Sequence, residues 1–484
     1  MNRLWLVLVC TIALLAVACG GPAASPGAGT PGPQSPAATA AGPGESPDEP
    51  PAESPDQSPA ESPDAGESPA GSPAESPDAG ESPAGSPAES PSGECVVETP
   101  ASPDESVSGD LTLAGWSAGN VEDEILNCVL QKFNAQYPNV NVSFEVIAGE
   151  YPAIMLTRLG SGEVPDLFYV NQSFAQDFID QGVLMDLNQM ATDAGFATDA
   201  FYPNFLEPFQ RDGATYAFPK DSSLLGMQTN DALLAEAGVD IPTTTDELVA
   251  AATALVDVGE TTAPMCFAPE WQRAGAFVHG FGGGLVDDAG QPAIASAETR
   301  AGLQWYLDQY HNGLAIKPAD IPADWCGQAF SRGDVAIAFE GPWIGPFMEL
   351  EAPDVAYTVS AIPAGPAGQA TLSFTVGYGM HPNTPNADAS WALLSYLTGE
   401  EGMQEWVNGG LVLPARSDVE PQTERQQAYA AFADSATAGE GVTAQWGQVS
   451  SAVNGALAGA STAGGTVDSI VDAALPILEQ VTAP

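Results

Sequence analysis

Between Gly20 and Ser108 the chain is written almost wholly in Pro, Ser, Ala, Gly and acidic residues. The fourteen residues ESPDAGESPAGSPA at 61–74 recur at 75–88. Such a tract has almost no apolar side chains to bury, so nothing offsets the entropy lost on ordering. Its like charges repel and its prolines stiffen it, which makes it an extended, semi-rigid spacer. No repeat unit has an apolar face on which the next could stack, so the repeat does not build a solenoid. Folding is thereby confined to residues 109–484, a length sufficient for two lobes with a core each.

Residues 1–19, MNRLWLVLVCTIALLAVAC, join one positive charge, Arg3, to a short apolar run and small residues before Cys19. That pattern reads as an export signal rather than a spanning helix. Leu15-Ala-Val-Ala-Cys19-Gly-Gly resembles a bacterial lipoprotein lipobox. The resemblance implies an acylated Cys19 at the mature N-terminus and makes 20–108 a tether on the outer face of the cell membrane. An ordinary secreted chain is the alternative. No later segment approaches ~18 uninterrupted apolar residues, so the lipid is the only membrane contact expected.

The chain carries 63 acidic and 11 basic residues, a net charge of −52. Such a surface repels nucleic acid and anionic lipid, and makes a strongly anionic small ligand improbable. Four cysteines remain in the mature chain beyond Cys19: Cys95, Cys128, Cys266 and Cys326. An even number in an exported chain predicts two disulfides, with three connectivities open. We expect Cys266 with Cys326, and Cys95 with Cys128, the latter clipping the end of the tether to the first helix. A zinc site lacks Cys-x-x-Cys spacing, and there are only three histidines. No metal and no cofactor is expected.

Leu111–Trp116 reads as a first strand, and Val121–Tyr137 as an amphipathic helix ended by Pro138. A second strand follows at Val140–Ile147, a helix at Tyr151–Leu159, and a third strand at Asp166–Val170, continuously apolar as a buried parallel strand is. The alternation predicts an α/β lobe with a parallel sheet. A second lobe begins near Ser222, with a helix at Asp231–Ala237 and a capping box at Thr244 and Glu247. Helices at Ala301–Tyr310 and Asp324–Arg332 precede a strand at Asp334–Phe339.

Several segments taken together resemble the extracellular solute-binding proteins of ABC importers, specifically the family containing maltodextrin- and other sugar-binding proteins. They are Trp116, Phe133–Val140 (FNAQYPNV), Gly160–Asp166 (GSGEVPD), Gly213–Pro219 (GATYAFP), Glu236–Pro242 (EAGVDIP) and Phe330–Trp343 (FSRGDVAIAFEGPW). The match spans essentially all of 109–484 in the family's order. It departs at Gln228-Thr-Asn230, where many relatives have Tyr-Asn. The resemblance implies a two-lobed periplasmic-binding-protein-like fold of type II, each lobe a mixed sheet flanked by helices and joined by crossover hinge segments. The chain would cross between lobes three times, giving lobe 1 at 109–222 plus 364–420 and lobe 2 at 223–363 plus 421–484. It implies a monomeric receptor that captures a carbohydrate between its lobes and delivers it to an ABC permease, with no bond made or broken.

Ligands of open α/β sheets sit beyond the carboxyl ends of the strands. Glu340-Gly-Pro-Trp343 ends a strand there, offering an acceptor, a flexible Gly341, a rigid Pro342 and an indole. Sugars present C–H faces that pack on aromatic rings and hydroxyl rims that carboxylates grip. By resemblance Trp343 matches a stacking aromatic of the sugar-binding family. The same strand-end logic adds Trp116, Glu150, Tyr151, Asn171, Asp221, Glu270, Trp271, Tyr378 and Trp446 as candidate ligand residues. Core packing is the competing role for each. Arg416 reads as a structural ion-pair partner.

Two motifs point elsewhere. Gly115-Trp-Ser-Ala-Gly119 matches G-x-S-x-G between a strand and a helix, which would make Ser117 the nucleophile of a serine hydrolase. It follows the first strand rather than a later one, and His279, His311 and His381 show no paired acid. Gly280-Phe-Gly-Gly-Gly-Leu285 lacks the third glycine of a dinucleotide loop, and Val286–Gly290 reads as a hairpin turn. Acids are too numerous for their count to argue for a glycosidase. Within binding, a polyamine or other cationic solute is the alternative to a sugar, since aromatics beside carboxylates also suit ammonium groups.

Overall fold

The computed structural model describes residues 95–483 apart from 118–119, 150, 163, 257 and 259–262. The expected signal, Cys19, the repeat tract and Glu150 lie outside the described residues.

Two five-stranded sheets share one plan. In the first, the strands Val140–Val146, Gly109–Gly115 and Leu167–Asn171 run parallel, followed by Val376–Met380 and Ala217–Pro219. Val376–Met380 is antiparallel to both its neighbours, with Tyr378 opposite Tyr169 on one side and Phe218 on the other. In the second sheet the order is Ala315–Ile316, Ala263–Cys266, Val335–Glu340, Gly226–Asn230 and Tyr357–Ser360. Again the first three are parallel and the fourth antiparallel to both neighbours. Helices cover the sheets, so the central strands are buried on both faces and carry the continuous apolar runs seen in the sequence. Val335–Glu340 is buried at every position.

A small third sheet lies where the chain passes between the lobes. Thr371–Phe374 pairs antiparallel with Ser223–Leu224 and parallel with Ala436–Ala438. Its three strands come from distant stretches of the chain, and the first sheet likewise joins strands up to Pro219 to Val376–Met380.

Local chemistry sets the helix ends. Asn230 caps Asp231–Ala237, and Gly238 closes it in the left-handed conformation at φ 68°. Thr244 and Glu247 make both bonds of the expected capping box. The helix read at Ala301–Tyr310 spans Ala297–His311, because Ser296 accepts the Thr299 amide and starts it a turn earlier.

The structure joins Cys95 to Cys128 and Cys266 to Cys326, with Cα separations of 5.5 and 5.4 Å. The end of the expected tether is not free. The Asp104 amide donates to Gln136 O at 2.7 Å and the Asn139 side chain to Glu105 O at 2.8 Å. Residues 95–108 are thereby tied along the helix Asn120–Gln136.

Candidate functional site

The strand Val335–Glu340 ends on a carboxylate that does not reach out for a ligand. Glu340 is 1 % exposed. Its Oε2 accepts from Arg273 Nη2 at 2.7 Å and from Trp343 Nε1 at 3.1 Å. Its backbone is gripped as well: Gln228 accepts its N–H at 2.8 Å, and Gln228 and Tyr429 both donate to its carbonyl, at 3.0 Å each. Gln228 thus clamps this strand end through both its amide oxygen and its amide nitrogen. Burial raises the Glu340 pKa, and Arg273 and Trp343 pull it back by favouring the ionised form.

Glu340 therefore positions Trp343 instead of gripping solute, which corrects its expected role. Gly341 also differs from expectation. Its φ is not positive; what it supplies is space, because a Cβ there would collide with the Trp343 ring. The Arg273 guanidinium lies 5.7 Å from the indole centroid. The ring is thus fixed by a carboxylate, a missing side chain and a cation, and it remains only partly buried.

The opposite wall comes from the first lobe. Trp116 follows the strand Gly109–Gly115 and rests edge-on against Tyr151 and Tyr169, each with centroids 5.0 Å away. Asn171 ends its strand and caps the helix Gln172–Asp180, its Oδ1 accepting the Ser173 amide at 2.7 Å. Asp221 stands at the first passage between lobes, beside Lys220. Trp116, Asn171 and Asp221 line one cleft of about 380 Å³ together with Trp343 from the second lobe. Ser223 and Phe374, from the small three-stranded sheet, line the same cleft.

The other candidates stand elsewhere. Tyr151 is buried and donates to Tyr169 O at 3.0 Å, so it braces Trp116 from behind. Tyr378 is wholly buried, edge-on to Tyr169. Trp271 and Trp446 belong to the second-lobe core. Trp271 also borders a separate cavity of about 530 Å³ beside His279 and Gly282–Gly284. Glu270 is partly exposed, 3.3 Å from Arg273. Arg416 is buried against Phe201 and pairs with Asp418 through two bonds, the structural role expected.

Sequence reading missed most of the cleft lining, including its charged pair Glu122 and Lys220 and a third indole, Trp406. One signal was available. With so few bases in the chain, a lysine directly before a candidate carboxylate at a lobe crossing is unusual. Trp406 gave none, since it reads as an ordinary apolar position of the helix Glu400–Asn408.

The Ser117 hydroxyl donates to Asp123 Oδ2 at 2.7 Å. The imidazoles are engaged elsewhere: His311 with Ala460 O, His381 with the Asn383 amide, and His279 edge-on to Trp271. Among the described residues no group of His, Cys, Asp and Glu could hold a metal ion, and no helix is long and apolar enough to cross a membrane.

The model of the bacterial extracellular solute-binding protein family matches residues 118–404. The chain belongs to that family. Among curated relatives, a putative binding protein of Brucella abortus is 24% identical over 302 residues, which is 60% of this chain and 72% of the relative. Among solved structures, the GacH receptor of Streptomyces glaucescens, determined unliganded and with acarbose, superposes with a TM-score of 0.71. It is 22% identical and covers 78% of this chain and 99% of its own. UgpB from Mycobacterium tuberculosis, solved with glycerophosphocholine, gives a TM-score of 0.68 at 17% identity, covering 77% of this chain and 98% of its own. The two-lobed architecture of the solute-binding protein is thus the family's, and membership places it outside the cytoplasm.

Proposed function

We propose that this solute-binding protein captures a carbohydrate between its lobes and delivers it to the permease of an ABC importer, without chemical turnover. One observation carries the ligand class: two indoles, Trp116 from one lobe and Trp343 from the other, line a single cleft whose polar groups include Asn171 and Asp221. Apolar rings suit the C–H faces of a sugar, and the Asn171 amide suits its hydroxyls, while the Asp221 carboxylate is paired with Lys220 at 2.5 Å. The acarbose complex of the GacH receptor supports the same class. Glycerophosphocholine in a second neighbour shows that the fold serves other solutes, so the ligand reading rests on the cleft. Because both lobes contribute walls, a bound sugar contacts both only when they approach. Closure is then favoured by the difference in affinity between the two states. Acylation at Cys19 would hold the monomer at the cell membrane, with the Pro-rich tract setting its reach.

A thermal-shift screen of residues 95–484 against mono- and oligosaccharides, amines and amino acids tests this, followed by calorimetry on any hit. Stabilisation by a sugar alone is the expected result. A panel in which no saccharide moves the melting temperature, or in which purified protein consumes the sugar it binds, removes the proposal.

A further inference from the structure

The floor of the cleft already holds a cation. Lys220 Nζ lies 4.1 Å from the centroid of Trp406 and 5.7 Å from that of Tyr169. It is 2.5 Å from Asp221 Oδ2 and 3.1 Å from Glu122 Oε1, and its side chain is 3 % exposed. Aromatic faces joined to carboxylates are the groups that recognise a free ammonium ion. We propose that Lys220 is a built-in occupant of an ammonium-binding cage, and that it determines specificity by excluding solutes bearing an ammonium group from the cleft.

The electrostatics require the cage to be filled. Two carboxylates with little access to water are costly unless a cation pairs with them. A chain with 63 acidic and 11 basic residues attracts cations to its surface, and an empty cage beside two indoles would take an amine from that atmosphere. Lys220, covalently held, pre-empts it at no entropic cost of association. Burial disfavours its charge, but Asp221 and then Glu122 outweigh that and raise its pKa, so the occupant remains an ammonium. The remaining groups that meet solute, Trp116, Asn171 and Trp343, then suit a neutral guest. This inference rests on the cleft being the solute site.

The test is chemical rescue. Lys220→Ala retains Cβ and deletes three methylenes and the ammonium, a gap matched by propylammonium. The variant is expected to melt below wild type. Propylammonium chloride should raise its melting temperature progressively with concentration, while sodium chloride at equal ionic strength and propanol should not. Wild type should gain nothing from propylammonium over sodium, and spermidine should not compete with sugar in its cleft. Lys220→Met, which fills the volume without charge, should show no rescue. If Lys220→Ala does not fold in buffer, refolding in propylammonium but not in sodium is the expected outcome. Equal failure in both, rescue that extends to the Met variant, or spermidine binding in the wild-type cleft overturns the proposal. Sugar binding by wild type is read separately: its absence removes the transport reading and leaves the rescue result standing, and the converse holds.

Discussion

Trp343→Ala separates two roles that the structure assigns to one side chain. The indole lines the cleft, and its N–H is one of two charge-assisted donors to the buried Glu340. For the ligand, an aromatic contact contributes about 0.5–1.5 kcal/mol beyond the apolar area it covers. Losing both terms takes the cost to about 1.4 kcal/mol or more, which is at least tenfold in Kd. For the fold, a hydrogen bond to a charged group contributes about 1.5–3 kcal/mol. Arg273 remains at 2.7 Å from the same oxygen, so the stability loss should fall at the lower end of that range. Trp343→Phe divides the two: it deletes the N–H and keeps a smaller ring face. Calorimetry with a sugar the wild type binds, and thermal melts of all three proteins, give the readout. The expected pattern is a stability loss shared by both variants and an affinity loss much larger in Ala than in Phe. A dissociation constant for Trp343→Ala within twofold of wild type would refute the reasoning and remove Trp343 from the site.

Arg273→Met leaves the Glu340 carboxylate buried without its cation, and breaking such a pair costs about 3–5 kcal/mol; a melt within a degree or two of wild type would show that Glu340 is not held as described. Glu440 has its pKa raised by burial, with Gln272 partly offsetting. A raised carboxylate pKa gives a contribution to stability that is complete below the unfolded value near 4.5 and lost as pH rises through the folded value. Glu440→Gln should therefore raise the melting temperature relative to wild type at pH 7 and not at pH 4, and an equal change at both would contradict it. Cys266 and Cys326 close a loop of 60 residues, so on the chain-entropy model replacing both by Ser should cost roughly 4 kcal/mol, measured by urea denaturation of the oxidised wild type and the double variant.

Most elements were legible because they rest on local rules. Thr244 and Glu247 form their capping box whatever surrounds them. The apolar run before Glu340 becomes a strand buried along its whole length, as such a run requires. The site was legible only in part. Trp116, Asn171, Asp221 and Trp343 share the cleft, whereas Tyr378, Trp271 and Trp446 also occupy strand or helix ends and pack into cores. Strand-end position says that a side chain is near the crevice; it does not say which way the side chain turns.

That choice belonged to the tertiary structure. By itself the sequence determined that 20–108 lacks the apolar residues for a core, that the remainder alternates strand and helix, and that an indole follows Glu340-Gly-Pro. Only the folded chain decided that Glu340 turns toward Arg273, 67 positions away, and that Lys220 meets Glu122 across 98. The physical reason is that a buried charge goes where its partner is. Partners that packing brings together from distant positions in the chain leave no trace in local sequence.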